Sequence, residues 1–223
     1  MNRFIPVITL NYSPFSWLTI TERAGADLYT EQDKYLEAIG SNSNPLGKII
    51  EQNLTFRQFN HDFIINANKT FGDFNVSLLL GNNVFSSYLQ INRATGTGLS
   101  VVDFENIGQA SNIAYSDNEY RQRKVGFYAQ SNIDYKRMLV LSLTGRYDGS
   151  SVLAQSNSFY PYGSVAGGFI FSELLSPELS NIINFGKVRL SYAIVGNDGV
   201  PPYSLNTPYQ KPDALPGMGS ISF

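Results

Sequence analysis

Alternation of apolar and polar residues, carried over long runs, constrains this chain more than any other feature. Leu18, Ile20, Ala24, Ala26 and Leu28 fall on one side of a ribbon, with Thr19, Thr21, Arg23 and Asp27 on the other. The same division sets Phe74, Val76, Leu78 and Leu80 against Asn75, Ser77, Gly81 and Asn83. It recurs with Val125, Phe127, Ala129, Ile133 and Tyr135 against Lys124, Tyr128, Gln130, Asn132 and Asp134. Later, Leu139, Leu141 and Leu143 oppose Ser142, Thr144 and Arg146, and Val188, Leu190, Tyr192 and Ile194 oppose Arg189, Ser191 and Ala193. Successive side chains of a strand point to opposite faces, so each run makes a ribbon with one apolar and one polar surface. Helical spacing is confined to "SELLSPELSNIINFG", where a short helical turn limited by Pro177 is expected.

Counting alternating runs gives about eight strands, near 3–10, 16–30, 48–69, 73–92, 119–135, 138–150, 159–171 and 186–196. Several exceed the ~5–6 residues usual in globular sheets and suit the ~9–11 residues of a tilted membrane strand. A change of face near His61 and Asp62 predicts a bulge there. "KTFGD" and "YKRM" read as short turns, whereas Thr30–Lys48, Asn92–Asn118 and Gly149–Ser158, rich in Gly, Ser, Asn and Asp, read as long loops. After Gly196 the chain is Pro-rich and irregular. Short turns on one side and long loops on the other are the pattern of an up-and-down membrane barrel. Trp17 and Tyr29, Phe71 and Phe74, Tyr135 and Tyr147, and Tyr160 and Tyr162 lie near strand ends, where interfacial aromatic girdles are expected. The alternative is that they are core aromatics of a soluble sheet.

The polar faces carry Asn, Gln, Ser and Thr with scattered charges rather than runs of Lys and Glu, and only 15% of the 223 residues are charged. That suits an aqueous interior better than the outside of a soluble sheet. Glu22 breaks the apolar face of its strand. A net charge of -2 supplies no basic stripe for nucleic acid, and the absence of cysteine excludes disulfides and thiolate metal sites. The opening "MNRFIPVITLNYSPF" has one Arg, a short apolar run broken by Pro6 and no small-residue cleavage site. It reads as a strand rather than a signal peptide.

His61 has no second His or Cys to complete a zinc site or a catalytic dyad. Asp103, Glu105, Asp117 and Glu119 lack the spacing of a calcium loop. "GSVAGG" at 163–168 is not followed by the Lys and helix of a phosphate loop, and its small residues suit close packing by a neighbouring strand. No cofactor and no enzymatic activity are expected from these residues.

Three ordered pieces, "RQRKVGFYAQSNIDYKRMLVLSLTGRYDGSS", "FYPYGSVAGGFIFSELL" and "NFGKVRLSYAIVGNDGVPPY", resemble the barrel segment of the SusC/RagA-like TonB-linked outer-membrane proteins. Arg146–Ser151 matches the R-Y-D-G-S-S strand end, Tyr160–Glu173 the following strand, and Val188–Asn197 the S-Y-G-x-x-G-N strand. "NKTFGDFNVSLLLG" resembles an earlier hairpin of the same barrels. Phe169 stands near the usual Trp, and Ala193 replaces a Gly.

The resemblance implies a fold class: all-β, an antiparallel up-and-down transmembrane β-barrel segment, about eight strands of a barrel of about twenty-two. Residues 1–223 would be a partial receptor barrel domain, with plug domain and signal peptide absent, Met1 an internal start and Phe223 a premature end. It further implies a place in the cell outer membrane, against lipid, the missing plug and the remaining strands. The partners it implies are TonB and a SusD-like surface lipoprotein, and the cargo a glycan or peptide. Arg23, Arg146, Asp148 and Arg189 would face the lumen or plug; Arg146 and Asp148 have the alternative of a structural pair at a strand end. The competing functions are a small self-contained outer-membrane barrel or adhesin, and a soluble β-sandwich binding carbohydrate.

Overall fold

The computed structural model describes residues 1–176, 179 and 182–205. Pro177 and the Pro-rich stretch from 206 onward lie outside these residues. The strands are β1 (Asn2–Phe4), β2 (Val7–Phe15), β3 (Leu18–Glu37), β4 (Lys48–Phe71), β5 (Phe74–Leu99), β6 (Ala110–Tyr135), β7 (Leu139–Ser150), β8 (Phe159–Ile170) and β9 (Lys187–Ile194). Both β1 and β2 pair with β3, and from there each strand pairs antiparallel with the next through to β9. β1 and β2 are thus one ribbon interrupted at Ile5 and Pro6, and eight ribbons form a single up-and-down sheet.

The register assigns every side chain to a face. One cross-strand row runs Leu18, Ala67, Leu78, Ser131, Leu143, Val165, Tyr192; another runs Lys69, Val76, Ile133, Leu141, Gly167, Leu190. These rows make a continuous apolar face with no second layer on it. Leu141 is 39% exposed, Phe127 53% and Leu190 79%. Ile49, Leu99 and Val152 are the buried apolar side chains among the described residues. A sandwich would seal these rows against a second sheet. An uncovered apolar face of this extent requires lipid or protein against it.

The loops are shorter than the sequence suggested. β3 and β4 run through most of Thr30–Lys48, and β5 and β6 through most of Asn92–Asn118, leaving connections at 38–47 and 100–109. β5 and β6 have 26 residues each, which at ~3.4 Å per residue is roughly 90 Å, against an apolar band ~25 Å tall. Beyond the band both faces meet water, so alternation lapses while the backbone ladder continues. A small apolar cluster braces this overhang: a Cβ on Gly47 would meet Leu99 and Ile39, and one on Gly96 would meet Ile49 and Ile107.

The bulge expected at His61 and Asp62 is absent. Ala24↔His61 and Arg23↔Asp62 fall in an unbroken register, as do His61↔Val84 and Asp62↔Asn83. The register shift among the β2–β3 pairs lies instead between Tyr12 and Phe15, beside Pro14. Short turns fall where expected. Phe71 pairs with Phe74 across Gly72, whose φ of 58° suits the first central position of a two-residue hairpin. Lys136 (φ 50°) and Arg137 (φ 59°) turn β6 into β7, with Met138 N–H donating to the Tyr135 carbonyl at 2.9 Å. The longer link from β8 to β9 lies on this short-turn side and begins with a 3-10 turn at Phe171–Leu174.

The aromatic assignment divides. Phe71, Phe74 and Tyr135 do line the short-turn end of the apolar face, with Phe74 and Tyr135 centroids 4.6 Å apart. Tyr147 is on the same face against Phe159, at 5.3 Å. Tyr29, Tyr160 and Tyr162, expected in a girdle, have the opposite parity and stand on the polar face. Proximity to a strand end does not say which way a ring points.

Candidate functional site

The polar face has its densest side-chain network in the middle of the sheet. One row runs Thr9, Arg23, Asp62, Asn83, Gly126, Asp148, Tyr160; the next runs Asn11, Thr21, Ile64, Gly81, Tyr128, Arg146, Tyr162. Arg146 and Asp148 are two apart on β7, hence on one face, and they pair. Arg146 Nη2 donates to Asp148 Oδ1 at 3.1 Å, and Arg146 Nε donates to the Tyr162 hydroxyl at 2.8 Å. The Tyr162 hydroxyl in turn donates to Asp148. The Arg146 guanidinium lies 5.0 Å from the Tyr128 ring centroid and 5.8 Å from that of Tyr162, so it is held by stacking as well as by charge.

Tyr128 takes this position because Gly81, directly across the strand pair, leaves room: a Cβ there would collide with the ring. Asn83 Nδ2 donates to Asp62 Oδ1 at 2.6 Å, and Asn60 Nδ2 to Asp62 Oδ2 at 3.0 Å. The amides leave the Asp62 carboxylate well supplied with donors, while Arg23, its cross-strand partner, makes no ion pair among the described residues.

The polar turn after β9 closes one end of the network. Lys124 Nζ donates to Asp198 Oδ1 at 2.9 Å, and a Cβ on Gly196 would strike the Tyr160 ring at 2.5 Å. Partial burial raises the Asp198 pKa, but the hydrogen bonds and charge supplied chiefly by Lys124 outweigh it and hold the carboxyl below its ordinary value.

All four residues singled out in the sequence share this face. Arg146 and Asp148 form one cluster, Arg23 stands four ribbons away in the Asp148 row, and Arg189 on β9 sits across from Gly168, apart from the network. Sequence reading missed Tyr128, Tyr162, Asn83 and Asp62, which complete the cluster. Polar parity was visible for Tyr128 and Asn83, but only the register brings Tyr128 to Arg146 and Asn83 to Asp62. No group of His, Cys, Asp and Glu among the described residues is arranged to hold a metal ion.

Glu22, the residue that breaks the apolar face, hydrogen-bonds through Oε1 to His61 Nε2 on the neighbouring strand. The two lie diagonally across β3 and β4 within the apolar band, so each supplies the other's polar partner.

No family model matches the chain. Among curated proteins, TonB-dependent receptor P26 of Formosa agariphila is 27% identical over 214 residues, spanning 91% of this chain and 21% of the relative. TonB-dependent receptor P39 of the same organism is 26% identical over 150 residues, 66% of this chain and 14% of the relative. The chain therefore spans about a fifth or less of the length of these relatives. Among solved structures, the RagAB peptide transporter superposes with a TM-score of 0.79 at 15% identity, covering 99% of this chain and 26% of that one. The RagAB peptide importer in its open-open state gives 0.77. A single antiparallel sheet with one apolar face and one polar face is thus similar in sequence to stretches of TonB-dependent receptors and in fold to part of the RagAB barrel.

Proposed function

We propose that the chain is part of an outer-membrane, TonB-dependent nutrient importer, supplying barrel wall and extracellular connections. The observation that carries this is the division of the sheet. Leu139, Leu141 and Leu143 project from one face while Ser142, Thr144 and Arg146 project from the other, and the same division holds across all eight ribbons. Lipid satisfies the first face, and a hydrated interior satisfies the second without burying unpaired polar groups.

In this reading residues 1–223 are a partial barrel domain working with a plug, further strands, TonB and a SusD-like surface lipoprotein. Arg23, Arg146, Asp148 and Arg189 face the lumen or plug. Peptide is the favoured cargo, since the structures matched in fold are of a peptide transporter, with glycan the alternative. The role is transport rather than catalysis.

Single cysteines at Leu141, Leu143, Ser142 and Thr144 test the division in membranes. The leucine positions should be shielded from an impermeant maleimide and quenched by lipid-borne nitroxide, and the serine and threonine positions labelled. Equal labelling of all four would overturn the assignment. Deleting the gene and measuring uptake of labelled oligopeptides and oligosaccharides should show loss of one class; unchanged uptake of both would remove the importer reading.

A further inference from the structure

Three arginines gather on the apolar face where the band gives way to polar residues on the long-loop side. Arg57 on β4, Tyr88 on β5 and Arg121 on β6 are consecutive cross-strand partners. Both guanidinium groups lie over the Tyr88 ring, 5.9 Å and 4.9 Å from its centroid. Arg123 is the next residue on this face along β6, opposite Ser86 and one step nearer the band. Below it on the same strand come Val125, Phe127 and Ala129; below Arg57 come Phe59, His61 and Phe63. The arginines, with Ser86, Ser87 and Gln90, line an open depression of about 340 Å³.

Charge in the patch is unbalanced. Glu119 is bound to Arg121 at 3.2 Å, while Arg57 and Arg123 make no ion pair among the described residues, and all three arginines are exposed. Glu119 offsets one of the three guanidinium charges, and the excess carried by Arg57 and Arg123 would be relieved by a further anion. Stacking on Tyr88 fixes Arg57 and Arg121, and Arg121 shares one Nη with Glu119 while its other N–H groups and those of Arg57 remain available, an arrangement that suits phosphate binding. Their height matters as much as their charge. They stand just beyond the apolar rows, at the level of headgroups rather than of acyl chains or bulk water.

We propose that Arg57, Arg121 and Arg123, organised by Tyr88, bind the phosphate groups of an anionic lipid in the outer leaflet. The inference rests on the outer-membrane reading above and adds a specific lipid site to it. Acyl chains of the bound lipid would run down the strands over Phe59, Val84, Val125 and Phe127, which the register places beneath the arginines.

The test uses the receptor as its host produces it, purified in neutral detergent, with native mass spectrometry as readout. The probes are diphosphorylated lipid A, the same lipid after enzymatic dephosphorylation, and inorganic phosphate alone. The wild type should retain the phosphorylated lipid, and a variant carrying Arg57→Gln, Arg121→Gln and Arg123→Gln should bind it about tenfold more weakly or worse. The dephosphorylated lipid should bind both proteins equally. Heat-modifiable gel migration of the variant confirms that its barrel is folded; should it fail, Arg57→Gln with Arg123→Gln alone is measured and should weaken binding in the same direction.

Equal affinity of wild type and folded variant for the phosphorylated lipid overturns the proposal, as does displacement of the lipid by inorganic phosphate at equal concentration. A nitroxide quencher read at Leu141 separates the two levels of failure. Lipid contact at Leu141 with no arginine effect sinks the phosphate site alone, and no lipid contact at Leu141 sinks the outer-membrane reading beneath it.

Discussion

The Tyr128 ring occupies the space over Gly81, and the Arg146 guanidinium lies over Tyr128, so a methyl group at position 81 is felt two residues away. Gly81→Ala should destabilise the folded barrel by about 1–3 kcal/mol, the usual cost of forcing extra carbon into an occupied site. Tyr128→Ala in the same chain should recover part of that loss, as read from urea midpoints in lipid vesicles. An unchanged midpoint for Gly81→Ala would show that the ring is free to move. The Glu22–His61 pair makes a second test. Replacing His61 by Val leaves the Glu22 carboxylate without its partner on the apolar face, and we expect a cost of about 2 kcal/mol that the joint Glu22→Leu/His61→Val variant largely removes. A double-mutant cycle with no coupling would mean that the two side chains are solvated separately. Alternation alone revealed that Glu22 sat on the wrong face. Its partner lies 39 residues away and becomes visible only when β3 and β4 are aligned.

Among the elements, the strands were legible wherever the two faces meet different surroundings. All eight ribbons were visible in the alternation, and β7 and β8 agree with their expected bounds to within a residue. On the long-loop side, as in Arg93–Leu99 and Ala110–Asn118, the alternation lapses, and ladder was taken for loop. The turn after β9 was read only as irregular, yet Asp198 ties it to Lys124. Because the folded-state pKa of Asp198 is depressed, its contribution is present above the ordinary carboxylate value of 3.8 and is lost as pH falls through the lowered folded value. Hydrogen-exchange protection across 195–205, taken relative to the intrinsic rate at each pH, should therefore fall as pH drops below about 3.8, and Asp198→Asn should show the reduced protection already at neutral pH. Identical protection in the variant would mean that Gly196 packing on Tyr160 holds the turn unaided.

At the scale of the whole molecule, the described sheet is open: β1 and β2 form one margin and β9 the other. The chain of 223 residues produced alone and refolded in detergent should associate through these margins, giving oligomers on light scattering rather than a heat-modifiable monomer. A discrete monomer with barrel-type migration would show that the two margins can close on each other. Fold class was legible here because alternation, strand length and turn spacing agree. The polar-face cluster was only half legible, since parity gives the face of Arg146 and Asp148 but not the tyrosines that hold them.

The break at Ile5 and Pro6 bears on how that first margin joins its neighbour. The Pro6 carbonyl still accepts the Ala26 N–H at 3.0 Å, so the residue faces β3, and the donor that proline lacks is missing on that inner side. Ile5 and Val7 aim their amides the other way. A strand arriving from outside would button to this margin without meeting a gap, and the weak stitch falls in a seam the chain has already sewn.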